Sequence, residues 1–286
     1  MKYIYIVFLY LLFFSCENKT VEYYKSGKKK NEYILKDGKK EGVYKEFYSN
    51  GNLKVIHNFK NNVLIDSSIY FFKKNTKKKF IRFWKENNQI YEINYDTLGN
   101  IISKGYLTND FNRINKWEEY GNNDLLESIQ EYVIVDNKQY LNQYWGLNKN
   151  RDTLFYKSNF FKIALSNDTI TKGKPYKGIL YLDAPFFKDK NSEIELFIYK
   201  SNDKGYTSEK KEVVKFYNLF YDKENKKWFP MADMKRTVAF WGWADELGKN
   251  TIKGYILEKY IDKIKGKIEK RKLYFEFSIV LVDGKN

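Results

Sequence analysis

The sequence predicts an all-β chain, with an elongated antiparallel repeat sheet of β-hairpins followed by a C-terminal β-sandwich. Two observations lead to this fold class. Aromatic residues recur at a nearly constant spacing through the first half of the chain, and short segments of alternating polar and apolar residues fill the second half. A fixed repeat period is typical of repeat architectures, and period-two alternation is typical of half-buried strands.

Two markers define the repeat. The first recurs at intervals of 24, 24, 23, 25 and 24 residues, and the second follows it by 11 or 12 residues. The first markers are Tyr24, Tyr48, Phe72, Tyr95, Tyr120 and Tyr144, and the second are Leu35, Phe59, Phe83, Tyr106, Tyr132 and Phe155. We expect about six units of two strands each over residues 23–157, which predicts twelve strands. Each hairpin alone is marginal, so the repeated aromatics are expected to pack against neighbouring units.

The best-preserved unit shows the pattern of strands and turns. Residues 43–48 and 53–59 mix aromatic and β-branched residues with charged ones at roughly period two. Asn50-Gly51 lies between these two segments, and Asp37-Gly38 precedes the first. Asn, Asp and Gly tolerate the positive φ that tight hairpin turns need, so both dipeptides predict turns.

Two elements of this unit carry a family resemblance. They are Phe47-Tyr48-Ser49-Asn50-Gly51-Asn52-Leu53 and Asp37-Gly38-Lys39-Lys40-Glu41-Gly42-Val43-Tyr44. Over residues 23–60 the chain resembles the bacterial variant of the MORN repeat. The resemblance implies hairpins laid side by side in one elongated, twisted sheet. Later units depart from the motif, since Lys74-Asn75 replaces Asn-Gly and Asn122-Asn123-Asp124 lacks the glycine, and ideal repeat geometry beyond Phe72 is left open.

The N-terminus has the pattern of an export signal. Lys2 precedes an apolar run from Tyr3 to Phe14, and the chain turns polar at Glu17. A membrane-spanning helix needs about 20 apolar residues, so this run is too short to cross a bilayer in the mature protein. Residues 1–15 are therefore predicted to be a signal peptide, and residues 16–22 a lipid-anchor tether.

Cys16 is the only cysteine in the sequence, so the mature chain can form no internal disulfide. The segment Leu12-Phe13-Phe14-Ser15-Cys16 resembles a bacterial lipobox, although Phe13 stands where that motif usually has leucine. The resemblance implies that Cys16 is acylated and anchors the exported protein in an envelope membrane, at the periplasmic face or the cell surface. Two acyl chains would hold it stably. An ordinary cleaved signal peptide or an anchoring helix, with Cys16 incidental, is the alternative.

The formal charge of +16 raises the question of a nucleic-acid partner. We expect none, because the abundant Lys, Asn, Ile, Tyr and Phe share AT-rich codons, and the lysine runs fall at turn positions of the repeat. An exported protein also meets little nucleic acid. Attraction to anionic lipid or polysaccharide remains open.

Proline separates the two halves of the mature chain, because Pro175, Pro185 and Pro230 all follow the last repeat marker. This places a domain boundary near Lys157-Ser158. The seven candidate strands that follow are Phe160–Leu165, Tyr176–Asp183, Glu193–Tyr199, Glu212–Phe220, Arg236–Ala244, Thr251–Tyr260 and Lys272–Val282.

Seven short strands within residues 158–286 suggest an immunoglobulin-like (Ig-like) β-sandwich without the Cys-Trp-Cys signature of antibody domains. Residues 251–256 and 273–276 also resemble the final hairpin of Ig-like modules in Bacteroidetes-type surface lipoproteins. Residues 261–270 could instead form a short helix, but Gly266 and the charge density favour a hairpin loop.

Catalytic constellations are not apparent, and neither a cofactor nor a metal site is expected. His57 is the only histidine and lies on a repeat strand, so any Ser-His-Asp triad would depend on it. No glycine-rich phosphate-binding motif is present. Glu118-Glu119 and Asp245-Glu246 could act as paired acids, but adjacent carboxylates on a strand point to opposite faces, which favours solvated surface acids.

Tryptophans offer a binding alternative. Trp84, Trp117 and Trp145 could line an exposed face that stacks on sugars or on a partner. Packing within the repeat is the competing interpretation. Trp241-Gly242-Trp243 places two indoles on one side of a strand, which favours a core or inter-domain contact.

Together these patterns predict a non-enzymatic, lipid-anchored, all-β protein that binds or scaffolds at the bacterial cell envelope, with a protein or glycan partner. Two alternatives stay open. The MORN-variant repeats also occur in antitoxin components, which implies an immunity-type protein that binds a toxin. The aromatic content and the export signal fit a polysaccharide-binding surface protein.

Overall fold

The computed structural model describes residues 18–85, 89–188, 190–200, 206 and 212–284. An 11-stranded antiparallel sheet holds its strands in chain order, β1 to β11. The strands are β1 Asn18–Tyr23, β2 Lys29–Lys36, β3 Lys39–Phe47, β4 Leu53–Lys60, β5 Val63–Phe71, β6 Lys78–Trp84, β7 Ile90–Tyr95, β8 Ile101–Leu107, β9 Arg113–Tyr120, β10 Leu126–Val135 and β11 Lys138–Gly146. The prediction of an all-β chain with a long antiparallel hairpin sheet is confirmed.

The predicted number of strands was wrong by one. Five units contribute two strands each, but the sixth contributes none of its own, because its second marker, Phe155, lies in the short 3₁₀ helix Phe155–Lys157. The one strand of the sheet that lies outside these five units is β1. It precedes the first unit and contains the described part of the predicted tether. A second 3₁₀ turn, Asn122–Asp124, joins β9 to β10, where the motif glycine is missing.

Two kinds of turn join the strands of the hairpin sheet. Asp37-Gly38, Asn61-Asn62 and Asp136-Asn137 are two-residue connections in which both residues have positive φ, as type I′ hairpins require. The other kind closes a longer loop with the same pair of backbone bonds at Tyr24 and at Tyr48, from Tyr48 N to Asn52 O and from Gly51 N to Tyr48 O. The predicted turns at Asp37-Gly38 and Asn50-Gly51 are therefore present.

The longer loop recurs at two places that lack the motif. The loops at Thr108 and Asn148 close with equivalent backbone hydrogen bonds. The position filled by Gly27 and Gly51 is taken there by Phe111 and Arg151, each with positive φ. A non-glycine residue in this region costs about 1 to 2 kcal/mol. The loop therefore forms without its sequence signal, and at Thr108 it stands in place of a two-residue connection, since it joins β8 to β9.

Tyrosine hydroxyls connect successive units. Tyr24 donates to Phe47 O at 2.6 Å and Tyr48 donates to Phe71 O at 2.9 Å, each across 23 residues. Each accepting carbonyl lies directly before the next loop. The repeated tyrosine thus has a second role besides packing, because its hydroxyl fixes one hairpin to the following one.

The chain divides into two compact units, Met1–Glu86 with Tyr95–Gly99, and Asn87–Asn94 with Asn100–Asn286. The predicted boundary near Lys157-Ser158 lies inside the second unit, where the chain leaves the hairpin sheet and enters two further sheets. The strands of these sheets are β12 Phe160–Leu165, β13 Thr169–Thr171, β14 Tyr176–Ala184, β15 Glu193–Tyr199, β16 Val213–Tyr217, β17 Thr237–Gly242, β18 Gly248–Asp262 and β19 Lys267–Val282. A single helical turn, α1 Lys223–Lys226, lies between β16 and β17.

The two C-terminal sheets enclose a common hydrophobic core. One has the order β12-β14-β17 and the other β13-β19-β18-β15-β16, with β13 parallel to β19. Leu180 and Val238 from the first sheet pack with Leu196, Ile256 and Leu273 from the second, and all five side chains have no exposed surface. All seven predicted strands are present, with shifted ends. The three-residue β13 was missed, and residues 261–270 form the end of the β18–β19 hairpin, as expected.

Side chains of β11 cover a free edge of β19. The Tyr274 backbone N–H donates to Asn142 Oδ1 at 2.7 Å, and Asn142 Nδ2 donates back to Tyr274 O at 2.8 Å. Tyr140 donates its hydroxyl to Lys272 O, and Arg271 donates to the carbonyls of Leu141 and Asn142. The amide of Asn142 therefore replaces the backbone of a neighbouring strand. This Asn142 clip joins the last hairpin to the sandwich within the second unit.

We predict that Tyr48→Phe lowers the free energy of unfolding by about 0.5 to 1.5 kcal/mol, because it removes the hydroxyl that donates to Phe71 O and leaves the ring in place. Urea denaturation measures the change. Tyr23→Phe is the matched control, since Tyr23 is 60% exposed. Equal stability of the two variants would contradict the proposed connection between hairpins.

Candidate functional site

The three tryptophans predicted to share a face have different environments. Trp84 in β6 is half-buried and donates from Nε1 to Ser68 Oγ at 3.2 Å. Trp145 in β11 is half-buried against Phe160, with ring centroids 5.6 Å apart. Trp117 in β9 has no exposed surface. A fully buried indole cannot stack on a ligand, so the predicted role of Trp117 was wrong.

The strand register separates Trp117 from Trp145. Trp117 lies opposite Gln130, whereas Trp145 lies opposite the adjacent residue, Ile129. Side chains directly opposite each other share a face and successive residues alternate, so the two indoles point to opposite faces of the sheet. Trp84 belongs to the first unit and the other two belong to the second. The three residues therefore do not form the single binding face that the sequence suggested.

Trp117 is buried because the residue opposite it is small. A Cβ at Gly105 would lie 2.5 Å from atoms of the indole, so the ring rests directly on the glycine backbone. Its Nε1 donates to Tyr106 O at 2.9 Å, and the guanidinium of Arg113 lies 4.0 Å from the ring centroid on a cation-π contact. Arg113 also forms an ion pair with Glu119 at 2.5 Å. This group of residues is a local core.

His57 belongs to a buried polar group rather than a catalytic one. Its Nδ1 lies 2.7 Å from Ser68 Oγ, which also accepts from Trp84. Burial lowers the pKa of His57, so the ring is neutral near pH 7 and Nδ1 can accept the Ser68 proton. Ser68 has no exposed surface, so a substrate cannot reach its hydroxyl. The sequence did not single out Ser68, and its neighbours Asp66-Ser67 and Ile69 gave no signal of its burial.

The carboxylates of the first candidate acid pair are engaged in other contacts. Glu118 forms an ion pair with Lys104 at 3.0 Å and accepts from Tyr120, while Glu119 pairs with Arg113. Asp245 and Glu246 lie in the turn before β18, and the Glu246 backbone N–H donates to Asn250 Oδ1. Among the described residues, no group of His, Cys, Asp and Glu is arranged to hold a metal ion. Cys16 lies outside the described residues.

A cavity of about 470 Å³ lies in the sandwich, between the edge strands β16 and β17. We call it the tryptophan cavity, because Trp241 and Trp243 form part of its wall and are 53% and 54% exposed. The sequence predicted a core or inter-domain contact for this pair, whereas both indoles have half of their surface free in the described structure. The remaining lining comprises Tyr176, Ile198, Tyr199, Lys200, Val214, Phe216, Gly242, Ala244, Asp245, Asn250 and Ile252.

The Trp-Gly-Trp sequence has a steric cause. Gly242 pairs with Tyr176 across β14 and β17, and a Cβ on Gly242 would lie 2.3 Å from the Tyr176 hydroxyl oxygen. Tyr176 therefore lies against the backbone of Gly242 on the core side of the sheet, whereas Trp241, which pairs with Lys177, points to the other side. The surface of Tyr176 is only 3% exposed, so it forms the floor of the cavity. A glycine between two tryptophans was the sequence signal for this arrangement.

The cavity is lined by one acidic residue, Asp245, one basic residue, Lys200, and the neutral polar groups of Tyr176 and Asn250. Burial, with a smaller effect from the Asp245 carboxylate, raises the pKa of Tyr176 to about 12, so its hydroxyl is neutral at physiological pH. Asn250 donates from Nδ2 to Glu246 O at 2.6 Å and to Gly248 O at 3.1 Å, which holds the turn that carries Asp245. Lys200 forms an exposed ion pair with Glu212 at 3.4 Å. The cavity thus combines an apolar wall with hydrogen-bonding groups.

A second cavity of about 520 Å³ lies between β9, β10 and the sandwich, within the second unit. Phe161 and Phe275 contribute to its apolar lining. Its carboxylate Glu131 already accepts from Asn142 Nδ2 and Gln143 Nε2, each at 2.7 Å. The tryptophan cavity is therefore the stronger candidate, since no such side-chain hydrogen bonds hold the carboxylate of its Asp245 in the described structure.

Comparisons with known proteins identify no relative: no protein family matches the chain, and no curated protein matches it. In the part of the chain that the structure describes, no helix has the length and apolar character needed to cross a membrane.

We predict that Gly105→Ala destabilises the protein by about 1 to 3 kcal/mol, because the added methyl group would overlap the Trp117 ring. Chemical denaturation gives the stability, and a red shift of tryptophan fluorescence would report exposure of the indole. The control is a double-mutant cycle with Trp117→Leu, in which the alanine should cost much less. Additive effects would show that the two positions are not coupled.

We predict that stability falls as the pH drops from 7 to 5, because burial lowers the pKa of His57 in the folded state below its ordinary value of about 6.5. The unfolded chain then binds the proton more readily, so this contribution is full above about pH 6.5 and is lost as the pH falls through the folded pKa. Urea denaturation at a series of pH values measures the slope.

The control for the pH series is His57→Gln, which cannot titrate and keeps an acceptor for Ser68. Its stability should change less between pH 7 and 5 than that of the unmodified protein. The carboxylates with lowered pKa, such as Glu32 at about 2, titrate at more acidic pH and contribute little over this interval. Parallel pH profiles of the two proteins would argue against the role of His57.

Proposed function

We propose that this protein is a non-catalytic, lipid-anchored binding protein of the bacterial cell envelope, in which the hairpin sheet acts as a scaffold. The tryptophan cavity is the observation that supports a binding role most strongly, because it combines apolar side chains such as Ile198 and Phe216 with a buried tyrosine and a charged rim. Ligand sites combine apolar walls with a few fixed polar groups in this way.

The engagement of the candidate catalytic groups favours binding over catalysis. Ser68 is inaccessible, and Glu118 and Glu119 are held in ion pairs with Lys104 and Arg113. Such pairs maintain a carboxylate in its charged form, whereas a general acid needs a raised pKa. Each group is thus better suited to stabilising its strand than to proton transfer.

Strand order supports the Ig-like interpretation of the sandwich. The sheets β12-β14-β17 and β13-β19-β18-β15-β16 have the arrangement of strands A-B-E facing strands A′-G-F-C-C′, in which a short A′ strand runs parallel to G. The regular loops at Tyr24 and Tyr48 support the MORN-variant interpretation of the hairpins. Both modules commonly hold binding surfaces rather than catalytic centres.

The anchor proposal rests on the sequence Leu12–Cys16 and on the place where the sheet begins. β1 starts at Asn18, so only Glu17 lies between Cys16 and the first strand. Two residues extend the chain by at most about 7 Å. An acylated Cys16 would therefore hold the edge strand of the sheet close to the membrane surface, without a flexible spacer. The antitoxin alternative stays a prediction that no contact in the structure favours.

We predict that Cys16→Ala abolishes acylation and releases the protein from the membrane fraction, because the thiol is the only possible site of thioether lipidation. Mass spectrometry of the N-terminal peptide and membrane fractionation measure the two effects. Ser15→Ala is the matched control, since it keeps a small residue before the cysteine and should stay acylated. An unmodified Cys16 in the unaltered protein would refute the anchor.

A further inference from the structure

The hairpin formed by β18 and β19 extends past the neighbouring strand of its sheet. β15 pairs with β18 only as far as Lys259. Beyond that residue, and up to the turn, the described strand pairs of β18 and β19 are with each other alone. The Asp262 carboxylate accepts from the backbone N–H groups of Ile264 and Lys265, at 3.0 and 3.1 Å, which holds the turn in one shape. We call residues 260–269 the hairpin tip.

The hairpin tip exposes three isoleucines. Ile261 and Ile268 lie directly opposite each other, so their side chains share a face, and they are 68% and 56% exposed. Ile264 lies in the turn and is 98% exposed. Single exposed apolar side chains are ordinary, but a group of three on one short tip is of the kind that marks an interaction site. In contrast, the turns Asp37-Gly38 and Asn61-Asn62 of the hairpin sheet contain only polar residues and glycine.

Lysines surround these isoleucines. Residues 259–270 contain five lysines and only two acids, Asp262 and Glu269. Both acids are half-buried, and the Asp262 carboxylate is already occupied by the backbone of the turn. The exposed lysines of the turn and its border are Lys263, Lys265 and Lys267. The surface of the hairpin tip is therefore positively charged.

The positive charge continues beside the hairpin tip. A cavity of about 280 Å³ is lined by the two opposed isoleucines of the tip, by Lys263 and by Lys235, which precedes β17. Glu193 also lines this cavity, and its carboxylate lies 3.4 Å from the ammonium group of Lys259. Since this pair is neutral as a whole, Lys235 and Lys263 give the cavity a net positive charge next to the isoleucines.

An anionic lipid surface is complementary to this combination of groups. Apolar side chains can enter the boundary between headgroups and acyl chains, while lysines lay their stems along apolar surface and keep their ammonium groups near anionic headgroups. We propose that the hairpin tip docks on an anionic lipid membrane, with Ile264 inserted and the surrounding lysines at the level of the headgroups. This inference rests on the proposed location at an envelope membrane. It requires neither acylation of Cys16 nor a ligand in the tryptophan cavity.

The contact is weak by itself, so it orients a protein that another anchor holds. Each lysine near an anionic surface strengthens binding about fivefold, and salt screens this effect beyond a Debye length. Three isoleucines on a turn insert much less apolar surface than two acyl chains do. The hairpin tip alone therefore does not hold Cys16→Ala in the membrane fraction, in agreement with the release expected for that variant.

A fluorescent label at the tip of the full-length protein tests the proposal. Ile264→Cys is labelled with the environment-sensitive fluorophore NBD, and the protein is added to vesicles of phosphatidylcholine, either alone or with about one quarter phosphatidylglycerol. We expect a blue shift and quenching by nitroxide-labelled acyl chains with the phosphatidylglycerol vesicles, and reversal of both in about 0.5 M NaCl. The unaltered protein, treated in the same way, gives the background signal from Cys16.

Leu98→Cys is the matched control for the label. Leu98 is 72% exposed in another hairpin loop, between β7 and β8, and that loop lacks the isoleucine group. Its label should keep the emission that it has in water. Circular dichroism and thermal melts of each labelled protein separate loss of docking from loss of folding.

Substitution of lysines tests the electrostatic part of the contact. In the labelled protein, Lys263→Gln combined with Lys267→Gln should lower the docking equilibrium constant about 25-fold, from about fivefold for each lysine. The matched pair is Lys36→Gln with Lys39→Gln, because these exposed lysines flank the Asp37-Gly38 turn. That pair should leave the constant unchanged.

Three results would overturn this role of the hairpin tip. They are aqueous emission of the Ile264→Cys label with every vesicle, an equal response to neutral and anionic vesicles, and an equal response of the Leu98→Cys label. A response to polyglutamate or alginate without lipid, and none to vesicles, would assign the tip to an acidic polymer instead. The mass of the Cys16 peptide is measured separately, so failure of the anchor and failure of tip docking are distinct results.

Discussion

The first unit lacks a second layer in its described part, and this constraint explains its composition. Its strands β1 to β6 belong to one sheet, and Val55, Ile81, Ser68 and Asn31 are the buried side chains among them. Aromatic rings lying across the strands therefore provide most of the cover. Ring contacts continue from Tyr33 through Tyr44, His57 and Tyr70 to Phe80, from β2 to β6. Lys40 and Arg82 lie over these rings, at 4.6 Å from Tyr44 and 4.7 Å from Phe80. Long cationic side chains can shield apolar surface in this way while their charge remains in water.

In the second unit, the apolar faces of the sandwich strands are shielded from water by a second sheet. Its two C-terminal sheets face each other around aliphatic side chains such as Leu196, Ile256 and Leu273. Aromatic side chains are consequently not needed to cover the strands of the sandwich. In the sandwich, Trp241 and Trp243 are half-exposed, whereas Trp117, in the part of the hairpin sheet that belongs to the same unit, lies directly on Gly105. Tryptophan thus has a packing role in the hairpin sheet at Trp117, and it keeps an exposed surface in the sandwich at Trp241 and Trp243.

Sequence patterns predicted the hairpin sheet and all seven longer sandwich strands, because alternation and turn residues are local signals. They could not predict which tryptophans are exposed, since burial of Trp117 depends on Gly105 in the neighbouring strand and on the guanidinium of Arg113. The side chain of Asn142 pairs with the backbone of Tyr274, 132 residues away. A local periodic pattern carries no information about such a distant contact. Asp245 and Trp241 were visible as residues, but their convergence on one cavity depends on the packing of two sheets.

Strand order also imposes an order on folding. In the hairpin sheet, every pair of sequential neighbours can form as soon as both strands have been synthesised. In contrast, β13 at Thr169–Thr171 pairs with Val280–Val282, so its partner is synthesised much later than β13 itself. Local pairings form faster than distant ones because less chain entropy is lost. We therefore expect the aromatic hairpins to form before the sandwich is complete. Asn142 in β11 can then bind the backbone of Tyr274 once β19 has formed.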